Sequence, residues 1–299
     1  MTADDKPGAL RWGIVGVGIA GAARARAIAA DPRAVAVCGH GGRPASAGLP
    51  EAGSFEALLD QVDAVAVCSP DTAHPEQVEA ALRAGRHVLC EFPLAGSARK
   101  ARQLFQLAEQ VGRVLHVEHI ELLTPEARWL RAHAAPMRLI TGAVRHQGPA
   151  RARVFSVAHA NVARLHRLVD AVGLPRRVHI LDASPERLHA ELRFHGDVKV
   201  ELDLRQEAGA ARRQELILQL DHGTVMVVGR SLLYKGAPVA LPEGPGLFAA
   251  DQLAASAEIL DGALPYVTSQ RVVEVLELAD RIDTLARQHQ EALRRPAGA

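Results

Sequence analysis

A chain of 299 residues, 48% hydrophobic and 23% charged, is long enough for two ordinary domains with a core each. Its formal net charge of +1 removes the electrostatic reason to expect nucleic acid or an anionic membrane as partner, and no apolar run approaches the roughly 18 residues a membrane span needs. Asp4, Asp5, Pro7 and Gly8 make the opening unlike a signal peptide, so the expectation is a cytoplasmic protein whose partner is a small molecule.

The first predicted strand, Trp12–Gly16, runs straight into Gly16-Val17-Gly18-Ile19-Ala20-Gly21, and Ala-rich helical sequence follows to Ala30. Gly16 permits a tight strand-to-helix turn, Gly18 lets the backbone approach a pyrophosphate, and Gly21 lets helix and strand pack closely. The helix N-terminus then offers free N–H groups to phosphate. The second strand, Val35–Gly39, is where an Asp or Glu usually holds the ribose 2′-hydroxyl of NADH. Here Gly39-His40-Gly41-Gly42-Arg43 has no carboxylate to repel a 2′-phosphate and offers Arg43 and His40 to meet it, which predicts NADPH over NADH. The alternative is that Arg43 is a solvated loop residue.

Strands Ala64–Cys68, His87–Cys90 and Val114–Glu118 alternate with helices, as in a doubly wound parallel sheet. Ser69-Pro70 with His74 follows the third strand and Glu91-Phe92-Pro93 the fourth, at the carboxyl edge where such sheets bind ligands; Phe92 is a candidate wall for the nicotinamide or a core residue. Ser97 opens a helix to Gln110 whose stripe is Leu104, Leu107, Ala108 and Val111. Thr124-Pro125-Glu126 reads as a cap, an N1 proline and a first-turn acid for a helix through Arg131. Cys38, Cys68 and Cys90 end apolar runs without CxxC spacing, so they read as buried small hydrophobes, with a reactive thiol as the alternative.

Beyond about residue 136 the period changes to two. Leu188–Phe194, Val198–Leu204, Glu215–Leu220 and Gly223–Val228 predict an antiparallel sheet with one dry face. The wet face, carrying Lys199, Glu201 and Asp203, is too charged for a large apolar dimer interface, which favours a monomer. A helix from Asn161 to Val172 presents Leu165, Leu168, Val169 and Val172, and a last helix runs from Ser269 to about His289 before a frayed tail. The fold class is therefore α/β: a Rossmann domain over 1–122 and an α+β domain with a largely antiparallel sheet over 123–299, its C-terminal helix a candidate to pack back on the first domain.

Among polar clusters, Glu118 and Glu121 are read two ways. Each is a carboxylate that positions the nicotinamide or substrate, or holds a proton if burial raises its pKa; or it caps the next helix or pairs with an arginine. His116, Glu118, His119 and Glu121 straddle a strand end and a helix start, a poor spacing for a shared metal, so no metal is expected.

Gly16–Gly21, Ser69-Pro70 with His74, and Glu91-Phe92-Pro93 ahead of a sheet domain resemble the glucose-fructose oxidoreductase and inositol dehydrogenase (Gfo/Idh/MocA) superfamily. Within it, Val114–Leu123 is similar to the segment typical of biliverdin reductases, as are Gly148-Pro149 through Phe155 and Ala163-Arg164-Leu165 ahead of a helix ending at Gly173. Sugar dehydrogenases of the superfamily place a lysine between that Glu and Pro, and an Asp and a His on the later helix. Here Phe92, His159 and Ala163 stand there, and a phenyl ring cannot abstract a hydroxyl proton. Biliverdin reductases commonly carry Tyr where Phe92 lacks the hydroxyl.

The resemblance implies hydride transfer from NADPH to the central methine carbon of a linear tetrapyrrole, with a proton delivered to a pyrrole nitrogen. Such a flat dicarboxylate needs apolar walls and cations, for which His119, Arg145, His146, Arg151, Arg153, Arg164 and Arg167 are candidates. Arg164 is the expected contact to the tetrapyrrole, because guanidinium stacks as well as donates; an ordered water or a propionate is the better proton source. The alternatives are a sugar or imine oxidoreductase on the same scaffold, or a nucleotide-binding regulator without turnover.

Overall fold

The computed structural model describes residues 8–134, 137–149 and 156–294. In chain order the first elements are β1 (Leu10–Val17), α1 (Ile19–Ala30), β2 (Ala34–Gly42), α2 (Phe55–Leu59), β3 (Ala64–Val67), α3 (His74–Arg83), β4 (His87–Cys90), α4 (Ala98–Gln110) and β5 (Leu115–Val117). There follow α5 (Pro125–His133), β6 (Leu139–Pro149), α6 (Val157–Ala160), α7 (Val162–Val172), β7 (Arg177–Ala183), β8 (Arg187–Arg193) and β9 (Lys199–Glu207). The chain closes with β10 (Arg213–Leu220), β11 (Gly223–Val228), β12 (Ser231–Tyr234), β13 (Ala237–Pro238), α8 (Leu247–Asp261) and α9 (Ser269–Arg294). Two compact units result: Met1–Leu123 with Gly244–Val273, and Thr124–Glu243 with Glu274–Ala299. Among the described residues no helix is long and apolar enough to cross a membrane.

The first unit is built on a parallel sheet in the order β2-β1-β3-β4-β5. Its strands are apolar on both faces because helices cover both; Trp12 and Ile14 of β1 and all of β3 are buried. Ser97 caps α4 by accepting from the Lys100 N–H. β2 runs three residues past the predicted Gly39. Gly41 and Gly42 take φ of +70° and +79°, and a Cβ on Gly42 would stand 2.6 Å from the Val17 carbonyl oxygen. Only glycine there lets the strand end swing against β1, where the Arg43 N–H donates to Val17 O at 2.9 Å.

Helix α8 escapes sequence periodicity because its polarity is reversed. Asp251, Gln252, Ser256 and Glu258 face the core while Leu253 and Leu260 are 41% and 44% exposed. The inward charges have partners. Asp251 lies 2.7 Å from Arg24 of α1 and 3.0 Å from His116 Nε2 of β5, and it accepts the Tyr266 hydroxyl at 2.6 Å. Glu258 takes the other imidazole nitrogen at 2.8 Å, and Ser256 donates to Asp31 at 2.6 Å.

The second unit holds an eight-stranded sheet, β13-β12-β11-β10-β6-β9-β8-β7. It is antiparallel except where β6 and β9 run parallel, a pairing that the alternation of the separate strands does not disclose. Leu188, Ala190, Leu192, Val200, Leu202, Leu204, Leu216 and Leu218 make the dry face. Thr124 caps α5 by accepting from Ala127 N–H, and α7, with Leu165, Leu168 and Val169 buried, packs on α5 and β6. The opposite face carries the charges, with one correction. Asp203 is buried between Arg187 and Arg205, whose hydrogen bonds pull its pKa down to about 2 against the cost of burial.

His116 gives α8 a pH-dependent hold. Burial alone would lower its pKa, but Asp251 and Glu258 outweigh this and raise it to about 9 from 6.5. A raised folded pKa contributes stability in full below 6.5 that is lost as pH climbs through about 9. Asp251 has the opposite sign: its depressed pKa contributes above the ordinary 3.8 and is lost as acid protonates it. Urea unfolding followed from pH 6 to 10 is expected to show a fall in stability of a few kcal/mol across this window. His116→Gln should flatten that fall while lowering stability at neutral pH.

Candidate active site

The turn between β1 and α1 has the form of a dinucleotide cradle. Gly16 takes φ +82°, and a Cβ there would sit 2.4 Å from Ser69 Cα; one on Gly21 would sit 2.6 Å from the Gly16 carbonyl oxygen. Gly18 is the reverse case, with nothing within 4 Å of its would-be Cβ, so the backbone lies open to a ligand. Val17 is buried and offers the site only its backbone; Ala20 is half-buried. Ile19, the first residue of α1, is 95% exposed beside that opening. The space, the fixed turn and the unpaired N–H groups of the first helical turn fit a pyrophosphate.

At the end of β2, Arg43 is exposed. His40 is half-buried with Nδ1 3.1 Å from Ala52 O, because Pro50–Ala52 lies alongside: Gly39 N–H donates to Pro50 O and Ala52 N–H to Gly39 O. Beyond β3, Ser69 Oγ donates to Gln77. His74 is buried, its two ring nitrogens each 2.8 Å from a carbonyl oxygen, those of Ser69 and Pro93. Its imidazole therefore braces the Ser69-Pro70 and Phe92-Pro93 loops against one another, and both nitrogens are taken up in doing so. The Phe92–Pro93 bond is cis, and the half-buried Phe92 ring lies 5.3 Å from that of buried His119.

Two carboxyls meet at this edge with different company. Glu91 accepts from Arg24 at 3.0 Å; burial pushes its pKa up although Arg24 pulls it down. Glu118 is buried with the Ile120 N–H 3.3 Å away, and burial, then the negative charges of Glu91 and Asp251, push it well above the usual carboxylate range. Arg24 bonds Glu91 and not Glu118, so of the two carboxyls Glu118 is the one pushed further toward its neutral form. Glu121 sits half-buried in the next turn, and the helix beyond is capped by Thr124. Cys68 and Cys90 lie near these carboxyls, and burial pushes both thiols up, which makes them poor nucleophiles. His116 has both nitrogens engaged by Asp251 and Glu258, which removes it from any ligand set.

In the second unit strand parity sorts the expected cations. Arg145 points to the charged face, 2.8 Å from Glu215 and 3.5 Å from Glu201. His146, next in sequence, faces the other way toward Arg164 and Arg167 of α7; burial first, then Arg164, Arg212 and Arg167, drive its pKa down to about 4. Arg167 is buried and Arg164 half-buried. Arg212 is the residue the sequence reading missed: it enters from the loop before β10, its Cγ 3.8 Å from a would-be Cβ on Gly148, which also stands 3.1 Å from His146 Nε2. Arg151 and Arg153 lie outside the described residues. His159 is bound between Ser156, at 3.0 Å, and Asp280, at 2.9 Å.

Residues 10–119 match the model of an oxidoreductase family with an NAD-binding Rossmann fold, GFO/IDH/MocA. Over 299 aligned positions the chain is 28% identical to biliverdin reductase A of Mus musculus, covering 93% of this chain and 96% of that one. It superposes on the crystal structure of biliverdin reductase in complex with biliverdin and NADP+ from Synechocystis sp. PCC 6803, with TM-score 0.81, 27% identity and coverage of 92% and 98%. The UDP-N-acetylglucosamine 3-dehydrogenase of Acidithiobacillus ferrooxidans also gives TM-score 0.81, at 20% identity and coverage of 92% and 97%, a likeness of fold alone. Its N-terminal unit thus carries the NAD-binding Rossmann domain of the GFO/IDH/MocA oxidoreductases, and the chain is an NAD(P)-dependent oxidoreductase.

Proposed function

We propose that the protein reduces biliverdin, a linear tetrapyrrole dicarboxylate, to bilirubin with NADPH. The observation that carries this is at the carboxyl edge of the first sheet: Phe92, which has no proton-accepting group, fills the position between Glu91 and Pro93, and Glu118 nearby is a buried carboxyl that burial pushes well above the usual carboxylate range. Oxidation of an alcohol needs a proton acceptor; reduction of a conjugated methine needs a proton source. Similarity to a biliverdin reductase over nearly the whole chain supports the same reading.

When bound, the nicotinamide supplies the hydride. The glycine turn holds the pyrophosphate, Arg43 meets the 2′-phosphate, and Phe92 walls the ring. Glu118 holds the proton that a pyrrole nitrogen takes as the central methine carbon gains hydride; water returns it afterwards. Arg164, Arg167 and Arg212 answer the two propionates, and Arg164 can lie flat on the conjugated plane. His146, kept neutral among them, adds a hydrogen bond without repelling the substrate's cationic partners.

The direct test mixes protein, NADPH and biliverdin and follows the blue-green absorbance giving way to yellow; intact NADPH binding with no colour change would refute the assignment. Glu118→Gln is expected to lower kcat by about 10²-fold with an unchanged KM for NADPH, and to abolish the alkaline fall in rate expected of the wild type as Glu118 ionises. Arg43→Glu should raise KM for NADPH about tenfold and leave that for NADH nearly unchanged; equal effects would remove Arg43 from the 2′-phosphate. Arg212→Ala should raise KM for biliverdin about tenfold but not for its dimethyl ester, whose carboxyls carry no charge.

A further inference from the structure

Asp251 stands at the hub of the polar cluster behind the site, in a helix that sequence periodicity does not reveal. Its side chain is fully buried. One oxygen lies 2.7 Å from Arg24; the other lies 3.0 Å from His116 and accepts the Tyr266 hydroxyl at 2.6 Å. Two of these partners lead on to the carboxyl edge of the sheet. Arg24 reaches Glu91 at 3.0 Å, and the Tyr266 oxygen accepts the backbone N–H of His119, the residue after Glu118, at 2.8 Å.

The charges felt at Glu118 come from three elements: Glu91 after β4, Asp251 on α8 and Arg24 on α1; Tyr266 before α9 and the thiols of Cys68 and Cys90 feel Glu118 in turn. Arg24 is the single cation among them, and it is shared by two carboxylates already. One guanidinium cannot stabilise a third negative charge in a buried site as well as it does the first two, so the carboxyl it does not touch is the one that stays neutral.

We propose that Asp251 is a positioning residue for the reduction: by claiming Arg24 it denies that cation to Glu118, and so keeps Glu118 in its acid form, while through Tyr266 it fixes the turn that carries Glu118. This rests on the reading of Glu118 as proton source. His116 works in the opposite sense. It is cationic below about pH 9, and its charge partly neutralises Asp251 and so limits the repulsion Asp251 exerts on Glu118.

The sign of two substitutions separates this role from a merely architectural one. Asp251→Asn frees Arg24 to favour an ionised Glu118, so the alkaline limb of the kcat profile should move down by about one pH unit or more, the size expected of an opposite charge within roughly 4–6 Å. His116→Asn leaves the charge of Asp251 less compensated, and the limb should move up. A defect of packing alone would lower activity in both variants and shift neither limb in opposite directions. Infrared titration of the cofactor-free protein gives a second readout: the carbonyl stretch of protonated Glu118, identified by its loss in Glu118→Gln, should disappear at lower pH in Asp251→Asn and at higher pH in His116→Asn. Unmoved midpoints, or midpoints moving the same way, would overturn the proposal even with biliverdin turned over normally. Absence of biliverdin turnover with midpoints moving as stated would refute the assigned reaction and leave standing only the control of the Glu118 proton by Asp251. If Asp251→Asn does not fold, the direction seen in His116→Asn decides alone.

Discussion

The contact on which the first unit depends is the ion pair between Arg24 and Asp251, both wholly removed from water. Burying a guanidinium is tolerable only when its charge is matched and its hydrogen bonds are met. Asp251 does much of the matching, and the consequence spreads from there. Helix α8 is drawn to the sheet by its polar side, Glu91 is held at the ligand edge by the same cation, and His116 and Tyr266 gain the carboxylate that orders them. Local Nε and Nη1 atoms of Arg24 find no hydrogen-bond partner, so the cluster sits near the limit of what a buried network bears.

Much of the fold was legible because local rules and tertiary packing agree. Strand β1 with its glycine turn, the Ser97 and Thr124 caps, and the alternation of Lys199–Leu204 each carry a short-range signal whose period or chemistry has one reading. What stayed hidden depends on contacts across long stretches of sequence. His116 meets Glu258 across 142 positions, and no spacing rule connects them. Helix α8 presents a polar stripe that reads as solvent-facing and is not. The candidate site was half legible for the same reason: Arg145 and His146 look equivalent as neighbours in a cationic run, yet successive residues of a strand face opposite ways. Arg212 joins His146 only through the pairing of β6 with β10.

The likeness in fold to a sugar-nucleotide dehydrogenase, equal by TM-score to the likeness to a biliverdin reductase, shows how little backbone decides the chemistry. On the proposed reading, a phenyl at position 92 leaves an alcohol without a base, and the sharing of one cation among three carboxyls sets which of them serves as the acid. Both are matters of charge accounting in a small dry volume, where a single substitution weighs more than a loop rearrangement.

The discontinuity of the first unit bears on how the chain comes off the ribosome. Its sheet is finished at Val117, but the segment that neutralises Arg24 and His116 begins only at Gly244, after the strands of the second unit have been made. For the whole of that interval the nascent nucleotide-binding half lacks the α8 carboxylates that match the Arg24 charge and that raise the His116 pKa. The Arg24 ion pair can therefore close only once residues more than a hundred positions beyond the end of the sheet have been made.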